Sequence, residues 1–146
     1  MARIRLDGVG FTYPGADAAT LAPLSMDISH GEAFSLLGAS GAGKTTLLNL
    51  LSGILQPTQG RIYFDDVDVT GLPGRARHLA QVFQFPVLYQ SMTVGENLAF
   101  PLTTRGLNRN PADIALRVKA VAEELNIEGI LNRGANGISL FEKQLV

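Results

Sequence analysis

Gly38-Ala39-Ser40-Gly41-Ala42-Gly43-Lys44-Thr45 is the most informative stretch of this 146-residue chain. It satisfies the pattern G-x-x-x-x-G-K-[ST] in full. Ahead of it lies the apolar run Ala33-Phe34-Ser35-Leu36-Leu37, of the kind a sheet covered on both faces contains. Behind it, Leu47, Leu50, Leu51 and Ile54 share one helical face, with Gly53 placed as a C-cap. Strand, glycine loop and helix are the context this motif requires. Glycines let the backbone curl so that successive N–H groups face an anion, and the N-terminus of the following helix adds partial positive charge. Lys44 offers an ammonium to β- and γ-phosphates, and the Thr45 hydroxyl offers a ligand to Mg²⁺. The expected phosphate contacts are Gly38, Ser40, Gly41, Ala42, Gly43, Lys44, Thr45 and the adjoining Thr46. The octapeptide alone does not choose among kinases, GTPases and transport ATPases.

Outward from the loop, Arg3 to Val9 alternate in the manner of a half-wet strand, and Leu24, Met26 and Ile28 repeat the pattern. Gly60 to Phe64 and Leu79 to Phe83 read as further strands. Ile62-Tyr63-Phe64-Asp65-Asp66 comes too soon after the loop helix to be a catalytic acid strand, and Val67 and Asp68 follow it rather than a helix. It reads as strand and turn. The second half is helical. Thr93-Val94-Gly95-Glu96 fits a capping box, and Pro101 is expected to kink or end the helix that follows. Asn110-Pro111-Ala112-Asp113 starts another helix, whose apolar face is Ile114, Val118, Val121 and Leu125. Thr103 to Asn110 is the expected flexible join. His30, His78, Glu123 and Glu124 are expected to face solvent.

Composition narrows the classes. With 46% apolar residues the chain can bury a core, which excludes disorder as the main reading. Twelve Lys+Arg against 13 Asp+Glu leave no basic excess, so nucleic acid is not the expected partner. The absence of cysteine removes disulfides, thiolate metal sites and a cysteine nucleophile. Apolar stretches such as Leu47 to Leu51 fall far below the roughly 18 residues that span a bilayer. The charged start, Arg3, Arg5 and Asp7, is unlike a secretory signal.

Tyr13 in Phe11-Thr12-Tyr13-Pro14, the phosphate loop with Thr46-Leu47-Leu48-Asn49-Leu50-Leu51-Ser52-Gly53, and Gln81-Val82-Phe83-Gln84 together resemble the ATP-binding subunit of ABC transporters. The resemblance runs from about residue 3 to the end of the chain. The stretch around Gln84, with Thr93 to Leu102, is similar to the carbohydrate-importer branch and within it the glycerol-importer ATPases. The resemblance implies an α/β P-loop NTPase core with an N-terminal antiparallel β subdomain, residues 1–89, and the start of a helical subdomain, residues 90–146. It implies ATP and Mg²⁺ as cofactors, with Tyr13 stacking on adenine and Gln84 contacting Mg²⁺ or the attacking water. Lys44 and Gln84 are then the catalytic residues, and Thr45 and Gln84 the metal ligands. It also implies a transmembrane permease docked on the apolar loop Phe85-Pro86-Val87-Leu88-Tyr89. A second ATP-binding subunit, identical or different, and a cytoplasmic location on the inner face of the membrane complete the expectation.

Two departures stand out. The family's signature, Leu-Ser-Gly-Gly-Gln, corresponds to Ile138-Ser139-Leu140-Phe141-Glu142, in which both glycines are replaced by large side chains. Leu140 and Phe141 are expected to hinder close backbone approach to a phosphate on the opposite subunit, which suits one half of an asymmetric pair. The strand ending in Asp-Glu and the later histidine that hydrolysis in this family requires are expected beyond Val146. This piece alone is therefore expected to turn over ATP negligibly. The alternatives are a nucleotide-binding but hydrolysis-deficient regulatory subunit, or a soluble ABC ATPase acting outside transport.

Overall fold

The computed structural model describes residues 2–104 and 110–146, and the chain divides into two compact units, Met1–Gln81 and Val82–Val146. In the first, β1 (Ile4–Phe11), β2 (Leu21–Ile28), β3 (Gln59–Phe64) and β4 (Val67–Asp68) form an antiparallel sheet in the order β2-β1-β3-β4. Leu6 pairs with Met26 on one side and Ile62 on the other, so alternation places three apolar residues across one face. Helix α1 (Lys44–Ser52) supplies Leu47 and Leu50, which complete a core with Leu6, Val9, Phe11, Ile62 and Val69. Its end is the expected glycine cap: Gly53, at φ 75°, sends its N–H to the carbonyls of Asn49 and Leu50.

The acids after β3 are structural. Asp65 and Asp66 sit at φ 47° and 65° in the tight turn to β4, a hairpin geometry that Asp tolerates. The Asp65 carboxylate accepts the Arg3 N–H at 2.8 Å, and Arg3 pairs with Asp27 on β2. The strand-and-turn reading therefore holds.

The second unit contains α2 (Val94–Thr104), α3 (Pro111–Leu125) and α4 (Leu140–Leu145), and its buried apolar residues are Val94, Ala122, Ile127, Ala135 and Ile138. Both expected N-terminal caps form. The Thr93 Oγ1 accepts the Glu96 N–H at 3.2 Å while the Glu96 carboxylate accepts the Thr93 N–H at 2.7 Å. Asn110 Oδ1 accepts the Ala112 N–H at 3.1 Å ahead of Pro111. On α3, Ile114, Val118 and Leu125 are half-buried, but the buried residue is Ala122, and Val121 is 37% exposed. His30, His78, Glu123 and Glu124 are exposed as expected. Pro101 does not end α2, which runs on to Thr104. The expected join beyond Thr103 falls mostly outside the described residues.

Two expectations are corrected. Ala33–Leu37 and Leu79–Phe83 are not strands, and neither is paired into a sheet among the described residues. A ladder needs a neighbour to accept each N–H and donate to each C=O. Without one, apolar content alone makes no strand, and Leu37 and Val82 stand 89% and 82% exposed.

Candidate nucleotide site

The loop Gly38–Gly43 leads directly into α1, whose first turn contains Lys44, Thr45 and Thr46 and no acid. Gly41 and Gly43 take φ 81° and 84°, the left-handed region open to glycine, and bend the chain into the helix. The one turn bond inside the loop joins the Ala42 N–H to the Ala39 carbonyl at 3.2 Å. The amides of Gly41, Gly43, Lys44 and Thr45 have no acceptor among the described residues. Unpaired amides at the start of a helix are donors waiting for an anion. Lys44 Nζ donates to the Gly38 and Ala39 carbonyls at 2.8 and 2.7 Å, which leaves one of its three donors unused.

The residues fit a polyphosphate. The Lys44 ammonium and four unpaired amides fall within Gly41–Thr45, and a methyl on Gly38 would press on the Ala42 Cβ at 3.3 Å. Thr45 is exposed, so its hydroxyl is open to solvent, while Thr46 is buried beneath the helix at 6% exposure. No cluster of three metal-ligating His, Cys, Asp or Glu side chains occurs among the described residues. A single hydroxyl suits Mg²⁺ that arrives with its phosphates rather than an ion held in a protein cage.

Tyr13 lies on the β1–β2 connection, between Phe11 and Leu21. The Thr20 N–H closes that loop on the Phe11 carbonyl at 2.9 Å, and Thr20 then abuts the phosphate loop. A Cβ on Gly43 would lie 3.0 Å from the Thr20 carbonyl oxygen. Tyr13 packs edge-on against Phe11 at 4.8 Å and keeps 42% of its surface exposed. Tyr13 and Gly38–Thr46 thus share the first unit.

Gln84 belongs to the second unit, where it is exposed. The carbonyl of its neighbour Phe83 accepts the Gln144 Nε2–H of α4 at 3.1 Å. Phe85, Val87 and Tyr89 are 71%, 78% and 52% exposed, an apolar loop open to solvent. Its far end is held by Asn97 of α2, a buried polar residue that sequence reasoning did not single out. Ser139 caps α4 in a second capping box, accepting the Glu142 N–H at 3.2 Å and donating its own N–H to the Glu142 carboxylate at 2.6 Å. These bonds to Ser139 hold the Glu142 carboxyl below the usual carboxylate range. Leu140 and Phe141 follow at the start of the helix, 68% and 73% exposed.

Sequence reasoning also missed Arg77, which is 3% exposed against the end of α1. Nothing local distinguishes it from Arg75, which is exposed.

A profile described as ABC transporter matches residues 21–146, and the chain belongs to that family. Over 126 residues it is 42% identical to the molybdate/tungstate import ATP-binding protein WtpC of Pyrococcus abyssi, which covers 86% of this chain and 36% of the relative. Over 146 residues it is 36% identical to the sn-glycerol-3-phosphate import ATP-binding protein UgpC of Escherichia coli, covering 100% of this chain and 40% of the relative. The chain thus spans well under half the length of these relatives. Among solved structures, the dimeric bacterial ABC transporter cassette MJ0796 superposes with a TM-score of 0.87 at 26% identity, covering 97% of this chain and 66% of that one. Its post-hydrolysis dimer with ADP and Pi gives 0.86 at 25% identity, with the same coverage. The expected ABC ATP-binding family and P-loop NTPase fold are borne out, and the relatives include an importer of glycerol 3-phosphate.

Proposed function

We propose that this chain binds MgATP through Gly38–Thr46 and Tyr13 and that, within a longer subunit paired with a second one, it couples ATP hydrolysis to solute import through a membrane permease. The observation that carries the reading is the set of unpaired amides leading into α1, together with the Lys44 ammonium turned back on the Gly38 and Ala39 carbonyls of the same loop. A helix N-terminus and a cation on one turn stabilise negative charge where phosphates lie. Lys44 would release its two carbonyls in favour of phosphate oxygens, a stronger, charge-assisted bond. Thr45, through its hydroxyl, and Gln84 are the residues that would hold a magnesium ion, which would supply charge neutralisation during transfer. Tyr13 offers a ring face for adenine.

The exposed apolar loop Phe85–Tyr89 supports docking of the permease, and a peripheral place on the inner face of the membrane goes with that partner. Among the described residues no helix is long and apolar enough to cross a membrane. Leu140 and Phe141, exposed at the start of α4, favour a pair with one competent site over a symmetric one. Titration of the chain with MgATP in a calorimeter tests the proposal. Binding that disappears in Lys44→Ala is the expected result, and unchanged affinity in that variant would remove it.

A further inference from the structure

Arg77 is buried without a carboxylate. Its Nη1 donates to the carbonyls of Leu50 and Leu51 at 2.6 and 2.9 Å, its Nη2 to Thr70 at 3.0 Å and its Nε to Leu72 at 2.8 Å. Two of these four carbonyls belong to the last turn of α1, where helical carbonyls lack internal partners and carry the negative end of the helix dipole. Close packing makes the reach possible. A methyl on Gly53 would fall 2.7 Å from the Arg77 Nε, and one on Gly74 would fall 2.5 Å from the Ser52 carbonyl oxygen. The turn Gly74–Ala76 therefore lies directly on the helix end and delivers the guanidinium to it.

Burial pushes the Arg77 guanidinium down from its usual value, but an arginine keeps its proton at neutral pH. A full positive charge thus stands at one end of a nine-residue helix whose other end carries the phosphate loop. The separation is about 13 Å at 1.5 Å per residue. The path runs along α1 itself and starts at a buried guanidinium, so screening is weaker than between two surface charges.

We propose that Arg77 is a positioning residue for the nucleotide phosphates, acting through α1. It fixes the helix end against the sheet, and its charge outweighs the negative pole there, leaving a net positive field at the phosphate loop. The inference rests on the reading of Gly38–Thr45 as that loop. It requires affinity to depend on ligand charge. At an effective dielectric of about 40, between the protein and bulk-water values because the phosphate loop opens to solvent, one charge at this range is worth roughly threefold in affinity per unit of ligand charge.

The test uses the chain with MgATP, which carries two negative charges, and MgADP, which carries one. Arg77→Gln removes the charge and keeps hydrogen-bond donors, whereas Arg77→Lys keeps the charge and loses most of the carbonyl clamp. Calorimetry well below each melting temperature is expected to show Arg77→Gln weakened about tenfold for MgATP and about threefold for MgADP, with Arg77→Lys within threefold of the parent for both. Equal losses in the two variants, or equal losses for the two nucleotides, would assign Arg77 a packing role only and overturn the inference. If Arg77→Gln does not fold, Arg77→Lys decides: affinities within threefold support the field, and any larger loss sinks it. A parent chain that binds no MgATP would remove the proposed function itself, whereas a parent that binds beside an Arg77→Gln chain that binds equally well removes this inference alone.

Discussion

The side chain of Asn97 copies a peptide group against Tyr89: its Oδ1 accepts the Tyr89 N–H at 2.8 Å, and its Nδ2 donates to the Tyr89 carbonyl at 3.2 Å and the Thr93 carbonyl at 2.9 Å. A residue of 9% exposure thus holds one end of a loop whose Phe85 and Val87 face solvent. Asn97→Ala leaves a part-buried N–H and two carbonyls without that partner, a loss of about 2 kcal/mol in urea unfolding. Asn97→Asp should fare little better, because a carboxylate can accept from Tyr89 but cannot donate to either carbonyl. Hydrogen exchange at the Tyr89 amide, faster in both variants, checks the assignment.

Gly43→Ala is expected to injure both stability and nucleotide binding. The residue sits at φ 84°, and its new methyl would meet the Thr20 carbonyl at 3.0 Å. Strain of this kind costs about 1–3 kcal/mol. The turn into α1 must open to relieve it, so MgATP affinity should fall by more than the change in melting temperature suggests. Calorimetry beside a thermal melt measures the two effects separately.

Tyr13→Ala should separate base from phosphate. A stacked ring is worth about 1–3 kcal/mol per base, and Tyr13 is not buried beneath other groups. ATP affinity is therefore expected to drop about tenfold or more, while inorganic tripolyphosphate binds as before. Equal weakening of both ligands would mean that the ring supports the loop and not the adenine.

The Glu96 carboxyl is held below the usual carboxylate range by its bonds to the Thr93 N–H and hydroxyl. A depressed folded-state pKa contributes stability that is fully present above the unfolded pKa and is lost as the pH falls through the folded one. The melting temperature should accordingly decline as the pH is lowered from about 5 towards 3. Glu96→Gln keeps a capping-box side chain but cannot titrate, so its decline should be shallower. An identical slope in the two proteins would show that the box contributes nothing to acid lability.

What could be read from the sequence was set by interactions short in range. The Gly53 cap, the Thr93 and Asn110 starts and the Asp65-Asp66 turn each depend on residues within a few positions, and each is present. The loop itself was legible because glycines, lysine and threonine at fixed spacing serve a single geometry. Ala33–Leu37 and Leu79–Phe83 misled, since their apolar character says nothing about whether a neighbouring strand is at hand. Of the two outcomes expected at Pro101, a kink or an end, the end does not occur: a single missing N–H is tolerated where the flanking turns stay helical. Arg77 and Asn97 were invisible because their roles come from carbonyls 26 and 27 positions away in one case and from an irregular loop in the other.

Gln144 gives α4 a hold on the peptide immediately before Gln84. A pull transmitted along Phe83 must either drag the C-terminal turn of that short helix with it or rupture the amide contact. The exposed segment is consequently tethered at two points, Gln144 at its root and Asn97 at its tip. A force applied to Phe85 or Val87 would be felt at both fastenings at once.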